Sequence, residues 1–150
     1  MPGEKTIFYD DFTDMAPGDA PPHFKVRGAG VGLSAAGNLR QLSVTQQRAS
    51  LFPNLTLLPK NFTYEAEIKF DVTGRSNTVR LALFTKNSRT FLFTLTVEKD
   101  GTTYNIAQKD VPRYEELGRK ASRVNVNEPV KTALWIQNGR VRVYCNGERV

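Results

Sequence analysis

The chain has 150 residues, 39% hydrophobic and 24% charged, with a formal net charge of +6 and an isoelectric point near 9.6. That length carries a core without disulfide or metal staples, and the composition is that of a globular protein rather than a disordered or collagen-like one. No apolar run approaches the ~18 residues of a membrane helix, the amino terminus has no apolar signal-peptide core, and the single cysteine, Cys145, excludes an intrachain disulfide.

In chain order, Lys5 to Phe12 reads as a first strand running into turn-prone aspartates. Met15 to Pro22 is a loop, because it holds three prolines and a glycine. Phe24 to Arg27 alternates as a short strand. Gly28-Ala-Gly-Val-Gly-Leu has the wrong spacing for a dinucleotide loop and no helical pattern after it, so it reads as a flexible strand or turn. Asn38 to Thr45 is expected as a strand with Leu39, Leu42 and Val44 inward. Phe52 to Pro59 is a strand-like connector pinned by Pro53 and Pro59.

Phe62 to Phe70 alternates cleanly, with Phe62, Tyr64, Ala66, Ile68 and Phe70 on one face and Thr63, Glu65, Glu67 and Lys69 on the other. A turn over Gly74 to Asn77 leads to a strand from Val79 to Thr85, and a turn over Lys86 to Arg89 to a strand from Thr90 to Glu98. Phe91, Phe93, Leu95 and Val97 share one face of the latter. Asp100-Gly101 turns the chain into Thr102 to Ala107. Asp110 to Arg123 is expected to hold a helical turn or a long polar loop, and loops of that length tend to be functional.

The closing stretch, Ala133 to Val150, carries the strongest signal. Two short alternating strands flank Asn138-Gly139, and Asn146-Gly147 follows. Asn-Gly suits a type I′ hairpin turn, which needs positive φ at both central residues. Trp135, Val141, Val143 and Cys145 are expected inward, Arg142 and Tyr144 outward. With so little chain after Asn146-Gly147, either the natural polypeptide continues or the last strand is unusually short. Strands at this spacing without a sustained helical period predict one all-β domain, a two-sheet antiparallel sandwich or jelly roll.

Chemical motifs are sparse. Cys145 reads as a small core residue, since the lone histidine, His23, sits in a proline-rich segment and offers no nucleophile–base pair. Asp10, Asp11, Asp14 and Asp19 leave two readings open, turn-forming carboxylates or a structural calcium site, and the first is preferred, so no metal is assigned. Glu65 and Glu67 share a strand face, but the third acid, Asp71, comes one place late for the glycosidase spacing, so a solvated polar face is expected and no enzyme. Asn54-Leu-Thr and Asn61-Phe-Thr match the glycosylation sequon. The basic residues are scattered, which predicts no specific nucleic-acid site. No cofactor motif occurs. The candidate ligand-binding residues are Arg80, Arg142 and Tyr144 on a polar sheet face, with Arg113 and Tyr114 from the long loop; the alternative is an ordinary solvated face.

Ile7-Phe-Tyr-Asp-Asp-Phe, Phe52-Pro-Asn-Leu, Leu58-Pro-Lys-Asn-Phe-Thr-Tyr-Glu-Ala-Glu-Ile and the stretch from Ala133 to Val150 together resemble the concanavalin A-like lectin/glucanase superfamily, which includes laminin G-like modules. The likeness is greatest to the module that precedes OmpA-like domains in bacterial envelope proteins. The resemblance implies a jelly-roll sandwich excised from a longer extracytoplasmic protein. It also implies a non-catalytic module for an oligosaccharide or cell-wall glycan; the alternatives are a structural spacer that binds a protein partner and, less favoured, a β-glycan hydrolase.

Overall fold

The computed structural model describes residues 5–46, 49–69, 76–84, 90–98, 101–110, 113–122 and 128–149, at the level of the backbone for 81–122 and for 36, 76 and 77. Every regular element among them is a strand, every pairing is antiparallel, and no helix occurs among the described residues. No helix there is long and apolar enough to cross a membrane. The chain divides into two compact units, Met1–Pro59 and Lys60–Val150.

The first unit holds β1 (Phe24–Arg27), β2 (Val31–Ala36), β3 (Leu39–Val44) and β4 (Ser50–Pro53). β2 and β3 form a hairpin closed by Gly37-Asn38, where Gly37 takes φ 61°, as the first position of a type II′ turn requires. β1 pairs with β4, and Asn54 extends that ladder: its N–H donates to the His23 carbonyl at 2.9 Å and its side-chain amide to the Pro22 carbonyl at 3.0 Å. The proline-rich loop docks along β2, with Gly18 N–H donating to the Leu33 carbonyl and Leu33 N–H to that of Asp19. Met15 and Leu33 are buried at its base.

Two expectations fail in this unit. Lys5 to Phe12 is not a strand. Asp10 accepts the Phe12 N–H at 2.9 Å and Phe12 sits at φ 59°, so a local side-chain bond replaces a ladder bond. Phe8 and Phe12 instead cluster around Phe24, with ring centroids 5.3 Å and 6.2 Å away, while Ile7 and Tyr9 stay exposed. Leu39 and Val44 are 58% and 50% exposed rather than inward. They sit at the two ends of a two-stranded ribbon and differ in strand phase, so they cannot share a covered face; Leu42, opposite buried Leu33, is half-buried.

The second unit holds β5 (Phe62–Ile68), β6 (Ser76–Phe84), β7 (Thr90–Glu98), β8 (Gly101–Asp110), β9 (Arg113–Ser122), β10 (Val130–Gln137), β11 (Arg140–Cys145) and β12 (Glu148–Arg149). One four-stranded sheet is a meander in the order β6-β7-β8-β9; the other has the order β12-β11-β10-β5. The polar stretch expected as a loop or helical turn is therefore β9, paired along β8. Its sequence lacks apolar alternation because an edge strand needs only one partner's backbone. At the Ile106/Ala107 register shift, Leu117 is passed over beside Gly118, a bulge of the kind glycine permits. Ser76 and Asn77, expected in a turn, open β6. Phe70, Asp71, the turn over Lys86 to Arg89, and the side chains of Phe91, Phe93, Leu95 and Val97 lie outside the described residues.

The β12-β11-β10-β5 sheet has a sharply two-faced register. Val130, Leu134 and Val143 are each 1% exposed, and Thr132 and Cys145 are buried with them. Pairing sets Leu134 against Val143 and Tyr64, Thr132 against Cys145 and Ala66, and Val130 against Ile68, so one face is the core. The Thr132 hydroxyl donates to the Ala66 carbonyl at 3.0 Å, which satisfies the polar group on that face. Trp135 is not part of it. Ala133-Leu-Trp-Ile is apolar on both faces, so periodicity could not choose its phase; the register puts Trp135 outward.

Candidate functional site

The outer face of this sheet is built row by row from the same register. Thr63, Trp135 and Arg142 stand side by side across β5, β10 and β11, and Glu65, Ala133, Tyr144 and Arg149 make the next row out to β12. Glu67 lies opposite Lys131, and Gln137 opposite Arg140. The centre of the face, Thr63, Ala133, Trp135, Arg142 and Tyr144, is half-buried, while Glu65, Glu67, Lys131, Arg140 and Arg149 around it are exposed.

Trp135 and Tyr144 are diagonal cross-strand neighbours, with ring centroids 5.1 Å apart and planes at 46°. Ala133, with only a methyl side chain, lies directly opposite Tyr144. The result is a tilted aromatic pair with an arginine next to it. No ion pair among the described residues involves Arg140, Arg142 or Arg149. Each of these arginines carries a planar guanidinium donor fork on this face.

Two turns hold this face in register. Asn138 and Gly139 have φ 51° and 73°, and Asn146 and Gly147 have 49° and 82°, the type I′ geometry expected of both Asn-Gly pairs. Asn146 N–H donates to the Lys131 carbonyl at 2.8 Å, and its side-chain oxygen accepts the Lys131 N–H at 2.9 Å. The Asn61 side-chain oxygen accepts the Asn138 N–H at 2.8 Å. Both sequon asparagines, Asn54 and Asn61, are thus structural elements of turns and ladders.

Of the residues proposed from sequence, Arg142 and Tyr144 come together on this face. Arg80 lies on β6, exposed, in the register row Arg80, Thr94, Asn105, Arg119 of the other sheet. Arg113 and Tyr114 are consecutive on β9, hence on opposite faces of that sheet. Sequence reasoning missed Trp135, although its signal was present. A two-residue Asn138-Gly139 turn pairs Gln137 with Arg140, and counting back sets Trp135 beside Arg142.

A second polar cluster lies in the first unit. His23 Nδ1 is 2.9 Å from an Asp10 carboxylate oxygen and Nε2 is 3.9 Å from Asp14. These three residues hold one potential ligand atom each, all within 4.8 Å of one another. Asp11 accepts the Thr13 hydroxyl at 2.7 Å and the Thr13 N–H at 3.2 Å, bonds that hold its carboxyl below the ordinary 3.8. Asp19 accepts the Ala16 N–H at 3.0 Å. Asp10, Asp11 and Asp19 thus shape the loop by bonds to its backbone, the role expected of turn aspartates.

No protein-family model, no curated protein and no solved structure matches this chain.

Proposed function

We propose that this chain is a non-catalytic carbohydrate-binding module of an extracytoplasmic protein. Its platform is the outer face of the β12-β11-β10-β5 sheet. The observation that carries this reading is the Trp135–Tyr144 pair, half-buried, facing away from the core and flanked by Arg142. Sugar rings present apolar C–H faces and hydroxyl edges. Aromatic rings match the first, and a planar guanidinium bridging adjacent hydroxyls matches the second. In this reading the two four-stranded sheets of the second unit are the leaves of a concanavalin A-like jelly roll. The fully buried face of Leu134 and Val143 supports a second layer against it.

An open face buries little ligand, so dissociation constants of about 1 μM to 1 mM are expected. Titration calorimetry against a panel of oligosaccharides tests the reading. Trp135→Ala and Tyr144→Ala should each weaken any binding by about tenfold, roughly one stacked ring. Unchanged affinity in both would move the site off this face, and a panel without a ligand would favour a protein-interaction spacer.

A further inference from the structure

We propose that the ligand of this face is an anionic glycan, one whose sugar rings carry carboxylate or sulfate groups; this rests on the carbohydrate-binding reading above. The argument is the distribution of charge around the aromatic pair. Arg140 and Arg142 are two residues apart on β11 and so project from the same face as Tyr144. Arg149 on β12 is directly opposite Tyr144. Three guanidinium groups thus lie along one side of the rings, and none is ion-paired among the described residues. The carboxylates of the face, Glu65 and Glu67, are on β5, at the far side of β10. A neutral sugar would leave the three forks to water. An anionic chain lying along β11 would put ring faces on Trp135 and Tyr144 and acid groups on the arginines, away from the glutamates.

The arginines divide the task by exposure. Arg142, half-buried beside Trp135, forms the short-range fork, because a charge-assisted bond gains strength where water is displaced. Arg140 and Arg149, exposed at the rim, steer the ligand and give the binding its salt dependence.

The test is calorimetry with a polyuronate oligomer, a sulfated oligosaccharide, a neutral oligosaccharide of equal length and polyuridylate. Binding to the polyuronate or the sulfated chain should exceed the neutral one by about tenfold or more, with the tighter of the two naming the acid group, and should fall steeply between 50 and 500 mM salt, about tenfold. Arg142→Gln should lose about tenfold, with Arg142→Lys recovering only part of it, whereas Arg140→Gln and Arg149→Gln should chiefly flatten the salt dependence. Arg27→Gln, in the first unit, is the control for general charge. Neutral and anionic chains binding equally overturns the anionic assignment and leaves the carbohydrate reading standing. No sugar binding at all overturns both. A loss in Arg27→Gln equal to that in Arg142→Gln, or tighter binding of polyuridylate, also overturns the proposal, in favour of unspecific charge or a single-stranded nucleic acid.

Discussion

Trp135 and Leu134 are chain neighbours with opposite tasks. Leu134 is 1% exposed and lies opposite Val143, so Leu134→Ala removes a branched side chain from a fully buried site. Its expected cost is about 2–5 kcal/mol. Trp135, the larger side chain, is half-buried on the outer face, and Trp135→Ala should cost well under that. Urea denaturation of the two variants measures the contrast. A greater loss for Trp135→Ala would return the indole to the core and remove the platform. The same pair explains what was legible at this scale. A residue's class tells that it wants cover, but Ala133-Leu-Trp-Ile offers apolar groups to both faces. Only the turn downstream decides between them, and it does so by register.

At the scale of elements, turns chosen by backbone chemistry were the readable part. Asn138-Gly139 predicted its hairpin because few residues take positive φ at two successive positions. Thr90–Glu98 was readable as a strand for its alternating aromatics. Lys5 to Phe12 and β9 were misread for opposite reasons. The first has strand-like residues diverted by an Asp10 side-chain bond; the second has polar residues drawn into a strand by the backbone of β8. The first cause is local but belongs to a side chain rather than to apolar alternation, and the second is tertiary. The turns also make a graded prediction. A methyl added at Gly139 would meet no atom within 4 Å, so Gly139→Ala carries only the left-handed backbone cost at φ 73°, about 1–2 kcal/mol. At Gly30, also at φ 73°, the added carbon would lie 2.6 Å from Gln46 Cγ and 2.7 Å from Thr45 Oγ1. Gly30→Ala should therefore destabilise more than Gly139→Ala, since Thr45 is fixed by its N–H and hydroxyl bonds to the Gly30 carbonyl. Thermal melts of both variants check the order, and equal losses would mean that the 45–46 segment yields freely.

For the whole molecule, charge and burial act against each other at alkaline pH. The net charge of +6 at pH 7 falls to zero near pH 9.6, so self-repulsion weakens over that interval and works in favour of the folded state. Tyr64 reverses the trend further up. It shares the register of the core face, opposite Leu134, on the edge strand β5, where it keeps 36% of its surface exposed. Desolvation by burial raises its phenol above the ordinary 10.0. Above that pH the unfolded chain releases the Tyr64 proton while the folded chain keeps it. The unfolded state then binds fewer protons, and stability falls as pH rises toward the folded value. Below pH 10.0 the contribution is fully in place. Tyr64→Phe keeps the ring against Leu134 and removes the ionisation, so its stability should decline less between pH 9.5 and 11 than that of the parent chain. Urea midpoints taken across that interval, with both proteins in the same buffers, measure the difference. Parallel decline in the two would place the hydroxyl in solvent and take Tyr64 out of the buried face.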